Sequence, residues 1–305
     1  MEFGTAAAVS LFFSDLLKYN SAMATLFRRE PIDYLLIGHL TRDLTTDGER
    51  LGGTVAYSAL MAAAMGMRVG IVTSWGHEFK IEPYLGSVSI INAPTEFSTT
   101  FENRTTSNGR VQVIHKVASP LDIHLIPEDW RDAMIVHLAP VAQEVDPSLV
   151  RYFPNSMICI TPQGWLREWD QNGLVSRAEW PEASFVLERA AATVLSFEDM
   201  HRDEDRIAEL VISSQVLAVT EGEHGVRAYW NGDVRRIRAP EVKQADTVGA
   251  GDIFATAFLI LFRQTKNPWE AARFATQLAS LSVTRVGLES IPTSEEIQST
   301  MVEVL

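Results

Sequence analysis

The residues best equipped to act on a ligand stand together as Ala245-Asp246-Thr247-Val248-Gly249-Ala250-Gly251-Asp252, ahead of an apolar stretch over 253–262. The glycines allow a tight backbone path with N–H groups turned outward. The stretch behind them is apolar on nearly every face, which predicts a helix running through the interior. The first N–H groups of a helix lack carbonyl partners and the macrodipole favours negative charge there, so a Gly-Ala-Gly turn opening on this helix makes an anion site. Asp252 sets a carboxylate beside that site, within reach of a proton on an incoming hydroxyl. A held anion next to a base is the pairing that phosphoryl transfer requires. A lone Gly-x-Gly-Asp reads more simply as a turn with a capping acid. The whole eight-residue string, with its company elsewhere in the chain, is what favours chemistry.

The elements that must place this string follow from hydrophobic patterning. Strands are expected over 33–40, 68–74, 134–138, 156–161, 193–196 and 216–220, and helices over 52–65, 146–153, 180–190 and 203–213. Strands separated by helices imply an α/β fold, a doubly wound, mostly parallel sheet with helices on both faces. Ligands bind such sheets at the carboxyl ends of the strands. Two regions alternate like half-exposed strands. One covers 97–117 with a turn at Ser107-Asn108-Gly109; the other covers 226–237 and turns at Asn231-Gly232. Patterning alone leaves the first as either a lid or an edge ornament. With no repeat or linker, one compact domain with a small insertion is the economical organisation.

Composition excludes several classes. A formal net charge of −13, from 39 acids against 26 bases, argues against broad binding to nucleic acid or to an anionic membrane. A hydrophobic fraction of 46% suits a globular core. Cys159 is the single cysteine, so no internal disulfide can form and a reducing, cytoplasmic setting is expected. No run approaches the ~20 apolar residues of a membrane span. Residues 5–27 are apolar in places, but Asp15 and Lys18 interrupt them and no basic segment leads in, which makes a poor signal peptide. Residues 1–30 are read as an extension, helical or disordered, outside a core domain at 31–305. Residues 38–53 supply no Gly-x-Gly-x-x-Gly for a dinucleotide, no Gly-x-x-x-x-Gly-Lys-Ser/Thr occurs, and the seven histidines lack metal-ligand spacing.

The string Asp246–Asp252 resembles the C-terminal motif of the PfkB, or ribokinase-like, carbohydrate kinases, and the resemblance runs over most of 31–300. Gly38, Asp43 and Gly52-Gly53 look like that family's sugar-binding elements. Thr99-Thr100-Phe101-Glu102-Asn103-Arg104 is similar to its lid strand, and Thr220, Gly222 and Gly225 fall where it places a nucleotide loop. Arg285, Gly287 and Ile291-Pro292-Thr293 look like its C-terminal close. The resemblance implies a three-layer ribokinase-like fold with a small, reduced β lid from elements near 42–52 and 97–118. It implies transfer from ATP with magnesium (Mg2+) to a hydroxyl of a sugar or polyol, with Asp252 as base and Gly249, Ala250 and Gly251 stabilising the moving group. Asp43, Gly52, Gly53 and Asn103 would hold the acceptor, and Thr220, Gly222, Gly225 and Thr247 the nucleotide. A small-molecule partner is expected, and a homodimer is compatible with the family.

Three departures stand out. Tyr57 occupies a position where the family often has a sugar-contacting Asn, so it is expected to line the acceptor pocket. The family's Asn-x-x-Glu element is Ser196-Phe197-Glu198-Asp199 here, with Glu198 or Asp199 reaching the metal through water. The lid is short. Together with Thr161-Pro162-Gln163-Gly164-Trp165, this looks more like the myo-inositol kinase branch, in which Gln163 and Arg167 face the acceptor. Equally open is a Trp165 packed in the core with Gln163 capping a loop. A nucleoside acceptor is the alternative, since Tyr57 and Trp165 are rings able to stack on a base. A non-catalytic ligand-binding regulator of the same fold is the rival outside enzymes.

Overall fold

The computed structural model describes residues 30–46, 48–76, 78, 80–106 and 109–304. The extension read at 1–30 thus lies outside the described residues, apart from Glu30. Residues Ile32–Leu305 form one compact unit. In chain order its elements are β1 (Tyr34–Ile37), β2 (Thr41–Thr45), β3 (Gly48–Gly52), α1 (Thr54–Ala64), β4 (Val69–Ser74), α2 (Glu82–Leu85), β5 (Ser89–Ala93), β6 (Thr99–Thr106) and β7 (Gly109–Lys116). There follow β8 (Ile135–Leu138), β9 (Met157–Ile160), β10 (Arg167–Trp169), β11 (Val175–Arg177), α3 (Ala183–Leu187), β12 (Ala192–Ser196), α4 (Glu204–Ser213) and β13 (Val216–Thr220). The chain closes with β14 (Val226–Trp230), β15 (Asp233–Ile237), α5 (Ala250–Thr265), α6 (Pro268–Ser282) and α7 (Ser294–Val304).

Nine strands form the central sheet in the order β15-β14-β13-β12-β9-β8-β1-β4-β5. From β13 to β5 every pairing is parallel, and β14 and β15 add an antiparallel edge. Parallel strands covered on both faces read as continuous apolar runs rather than alternating ones. Tyr-Leu-Leu-Ile in β1 is such a run. Tyr34 and Leu36 enter the core that includes α1, α5 and α6, and Leu35 and Ile37 enter the opposite one, with Leu187 of α3 and Ile207 of α4. The three-layer α/β architecture expected from the sequence is the one observed. Among the described residues no helix is long and apolar enough to cross a membrane.

A second sheet of four strands, in the order β3-β2-β6-β7, stands at the carboxyl ends of the parallel strands and includes the hairpin expected over 97–117. The turn of that hairpin, at 107–108, lies outside the described residues. Its root is a buried polar junction. His39 Nδ1 lies 2.7 Å from Thr99 Oγ1, His39 Nε2 lies 2.8 Å from the Ser119 carbonyl oxygen, and the Ala118 amide donates to Thr99 Oγ1 at 3.0 Å.

Two expected helices differ. Residues 146–153 form only a 3₁₀ turn at Pro147–Arg151, capped by the Asp146 carboxylate on the Ser148 amide at 2.8 Å. Leu149, Val150 and Phe153 reach the core from this single turn, so a longer helix has nothing more to bury. The helix expected over 180–190 shortens to α3, because Trp180 leaves the helical path to stack on Trp165 at 5.3 Å between ring centroids.

Candidate active site

Two helix N-termini converge on one point. α5 begins at Ala250, and Ile253 to Phe262 are all buried, as its sequence predicts. Phe254, Phe258 and Phe262 stack at successive turns with centroids 5.9 and 6.0 Å apart. α1 begins at Thr54 directly after Gly52-Gly53. Thr54 hydrogen-bonds the carboxylate of Asp252, so the positive ends of both helices face the same carboxylate. Among the described residues the amides of Gly251 and Asp252 meet no carbonyl, whereas Ala250 donates to Thr247 at 3.3 Å and Ile253 to Gly249 at 2.9 Å. A side chain at Gly251 would meet open space. The cradle is therefore open and lined by amide hydrogens, as an anion site must be.

The turn before α5 depends on Gly249, which caps the helix in the left-handed region at φ 81°. A β-carbon there would overlap the ring of Tyr57. Tyr57 thus packs on the Gly249 backbone and is only 3% exposed. Burial pushes its phenol well above the ordinary range, helped by the charges of Asp252, Asp246 and Asp43. It forms a wall of the cradle and has no open face for a base. Trp165 is likewise committed to the core, with Nε1 donating to the Val145 carbonyl at 2.9 Å. The two rings read from sequence as stacking platforms are both covered.

Asp252 is half-buried, and burial is the main cause that pushes its pKa up to about 7. Asp199 and Asp43 push the same way, while Thr54 and Arg167 oppose them. Asp43 projects from β2, its Oδ1 accepting from Thr41 Oγ1 at 2.8 Å. Its carboxylate lies against the Gly52 backbone so closely that a side chain at 52 would overlap it. Arg167 opens β10 and is half-buried, with its guanidinium 5.7 Å from the Phe101 ring and Nη1 donating to the Val141 carbonyl at 3.4 Å. Burial pushes its pKa down, and Asp199, Asp252, Glu144 and Asp43 oppose that shift. Gln163 donates from Nε2 to Asp199 Oδ1 at 3.3 Å. Burial raises Asp199 above the usual carboxylate range despite Arg167 and Gln163.

The structure therefore brings together Asp43, Gly52, Gly53, Tyr57, Gln163, Arg167, Asp199 and Gly249 to Asp252. Other residues stand apart. Asn103 is exposed on β6 and accepts from Gln112 Nε2 at 3.2 Å. Glu198 is exposed, 3.8 Å from Arg202, so within the Glu198-Asp199 pair only Asp199 faces the cluster. Thr247 is exposed beside the cradle. Thr220, Gly222 and Gly225 sit at the carboxyl end of β13, where Thr220 Oγ1 donates to the Leu195 carbonyl at 3.4 Å and the Glu221 amide donates to the Gly225 carbonyl at 2.7 Å.

Sequence reasoning missed two contributors. Thr54 follows the Gly52-Gly53 pair, and its place as the first helical residue was a usable signal. Glu144 lies in an irregular loop that carries no signal. Its buried carboxylate accepts from the amides of His39 at 2.9 Å and Ala142 at 2.7 Å, tying the end of β1 to the loop that receives Arg167. Asp246 of the motif acts as a clamp, accepting from the amides of Val248 at 3.0 Å and Gly287 at 3.2 Å.

A mostly parallel sheet between helical layers, with a small sheet over the carboxyl ends, is a ribokinase-like fold. Residues 181–295 match the model of the pfkB family carbohydrate kinases. It is 26% identical over 274 residues to the cytidine kinase of Thermococcus kodakarensis, covering 81% of this chain and 95% of that one. Against the inositol 3-kinase of Arabidopsis thaliana it is 23% identical over 270 residues, covering 83% and 74% respectively. A solved pyrophosphate-dependent kinase of the ribokinase family, complexed with a pyrophosphate analog and myo-inositol, shares the fold at a TM-score of 0.73 and 19% identity, covering 89% of this chain and 100% of that one. The match supports a phosphotransferase.

Proposed function

We propose that the chain moves the terminal phosphoryl group of ATP onto a hydroxyl of a small polyol, with Asp252 as the general base. The observation that carries this reading is Asp252 itself, a carboxylate at the N-terminus of a buried helix, beside unpaired amides, with its pKa near 7. A base with a pKa near neutrality is ionised often enough to act and basic enough to take a hydroxyl proton. The acceptor lies at the N-terminus of α1, held by Asp43 and the backbone of Gly52-Gly53. As its oxygen bonds to phosphorus, its proton passes to Asp252 and the bond to the nucleoside diphosphate breaks. The amides of Gly251 and Asp252 receive the equatorial oxygens, where charge must be stabilised. Arg167 supports the cluster of acids and orients the acceptor together with Gln163. The donor lies along Thr220, Gly222, Gly225 and Thr247.

Magnesium bound with the nucleotide neutralises phosphate charge. It keeps several waters and takes few protein ligands, so it asks for one carboxylate near its water shell rather than a cage. Among the described residues no group of three acids, histidines or cysteines could hold a metal directly. Asp199, turned toward the cluster, fits such an outer role, and Glu198, exposed beside Arg202, does not.

A nucleoside acceptor is the second reading, supported by the likeness to the cytidine kinase over 95% of that protein's length. The covered faces of Tyr57 and Trp165 remove the stacking argument for it, which keeps the polyol first. Purified protein assayed against sugars, polyols and nucleosides, with ATP and pyrophosphate as separate donors, tests both readings. We expect ADP release with a polyol, and loss of about 10³ in kcat for Asp252→Asn with nearly unchanged nucleotide affinity, since the cradle is backbone. Undiminished turnover in that variant would place the base elsewhere. Nucleotide binding without turnover on any acceptor would instead make the chain a regulator.

A further inference from the structure

Outside the acid cluster the structure buries another cation. Arg227, in the middle of the sheet's antiparallel edge on β14, has a side chain only 8% exposed. Its Nε lies 2.6 Å from Glu221 Oε1, and its Nη1 donates to Glu204 Oε2 at 2.8 Å and to the Tyr229 hydroxyl at 3.2 Å. The guanidinium carbon stands 5.1 Å from the centre of the Phe197 ring. Glu221 is itself only 11% exposed. A guanidinium stays charged at any accessible pH, and its planar fork serves two carboxylates and a ring face at once, which an ammonium cannot do.

The partners reveal what the cation holds. Glu221 belongs to the turn after β13, between Thr220 and Gly222. Phe197 belongs to the loop after β12, two residues before Asp199, and Glu204 is the first residue of α4. β12 and β13 are parallel neighbours, so both loops emerge at the same end of the sheet. They are stitched once by backbone, the Phe197 amide donating to the Thr220 carbonyl at 2.9 Å. Arg227 fastens them a second time through side chains. We propose that Arg227 is a positioning residue that registers the turn at Thr220–Gly225 against the loop carrying Asp199, so that donor binding depends on it although it touches no donor. This rests on reading that turn as the donor site.

A merely structural arginine would lower thermal stability and affect both substrates alike. The test is therefore a split between donor and acceptor. ATP and pyrophosphate are titrated separately by calorimetry into the full chain and into Arg227→Met, Arg227→Lys and Glu221→Gln, and KM is measured for donor and acceptor. We expect donor affinity to fall about tenfold in Arg227→Met and in Glu221→Gln, with acceptor KM within about twofold of the parent. The variant carrying both Arg227→Met and Glu221→Gln should lose less than the sum of the two single losses, because the contact between these residues is common to both. Arg227→Lys should fall between. If Arg227→Met does not fold, Arg227→Lys and Glu221→Gln supply the same comparison. Parental donor affinity in folded variants, or equal losses for donor and acceptor, would overturn the proposal alone. A parent chain that binds neither ATP nor pyrophosphate would overturn the donor-site reading and the proposal with it.

Discussion

A general base acts only when ionised, and the sign of the pH dependence expected of Asp252 follows from that. Burial and the neighbouring Asp199 hold its proton to about pH 7, so the active carboxylate is scarce below that point and complete above it. We expect kcat/KM to rise with pH through a midpoint near 7 and then to level. Asp199→Asn removes a like charge and should move the midpoint down. A pH–rate profile between about pH 5 and pH 9 checks both, and a flat profile would exclude Asp252 as the titrating base. Asp252 was legible in the sequence as a candidate base because the motif around it is long and its backbone demands are local. The environment that tunes it was not. Thr54, Arg167 and Asp199 come from three other segments and meet Asp252 only in the folded chain. The covering of Tyr57 and Trp165 was hidden for the same reason, since a ring's exposure depends on what folds over it.

The turn before α5 is held in shape from outside. Gly249 takes a left-handed conformation that costs other residues about 1–2 kcal/mol, and its β-carbon would also strike Tyr57. Gly249→Ala should therefore move the amides of Gly251 and Asp252 and lower kcat/KM by about 10²-fold, with the larger effect on the transfer step. Tyr57→Ala in the same chain removes the obstructing ring and should restore part of the loss. Steady-state kinetics of the three variants form the check, and independent, additive losses would show that the ring does not shape the turn. Patterning located this helix and every parallel strand of the sheet except β5, since buried apolar runs are strong signals. It missed the hairpin of β10 and β11. Its strands have three residues each, too few for a period to emerge, although Asn172-Gly173 was an available turn signal.

That hairpin governs how the small sheet sits over the cluster. Arg167 begins it, and its tip reaches β7, where the Ile114 amide donates to the Gly173 carbonyl at 2.8 Å and Val113 bridges Leu174. Phe101 and Ile114 of the small sheet pack with Val141 and Ala142, and Trp169 and Val175 of the hairpin close the same apolar cluster. The small sheet is thus fastened at its root by His39 and Thr99 and at its far strand by the hairpin, and both fastenings lie on the side proposed for the acceptor. Gly173 is the vulnerable point. It stands at φ 78°, and a β-carbon would run into the Ile114 carbonyl oxygen. Gly173→Ala should loosen the contact, let Phe101 and Arg167 drift apart, and raise acceptor KM several-fold. Donor KM should stay near its parental value, because the turn at Thr220–Gly225 belongs to the opposite half of the sheet order. Initial-rate measurements varying each substrate in turn decide the matter. An unchanged acceptor KM in a folded variant would mean that the root alone fixes the small sheet, and that the hairpin serves only to present Arg167.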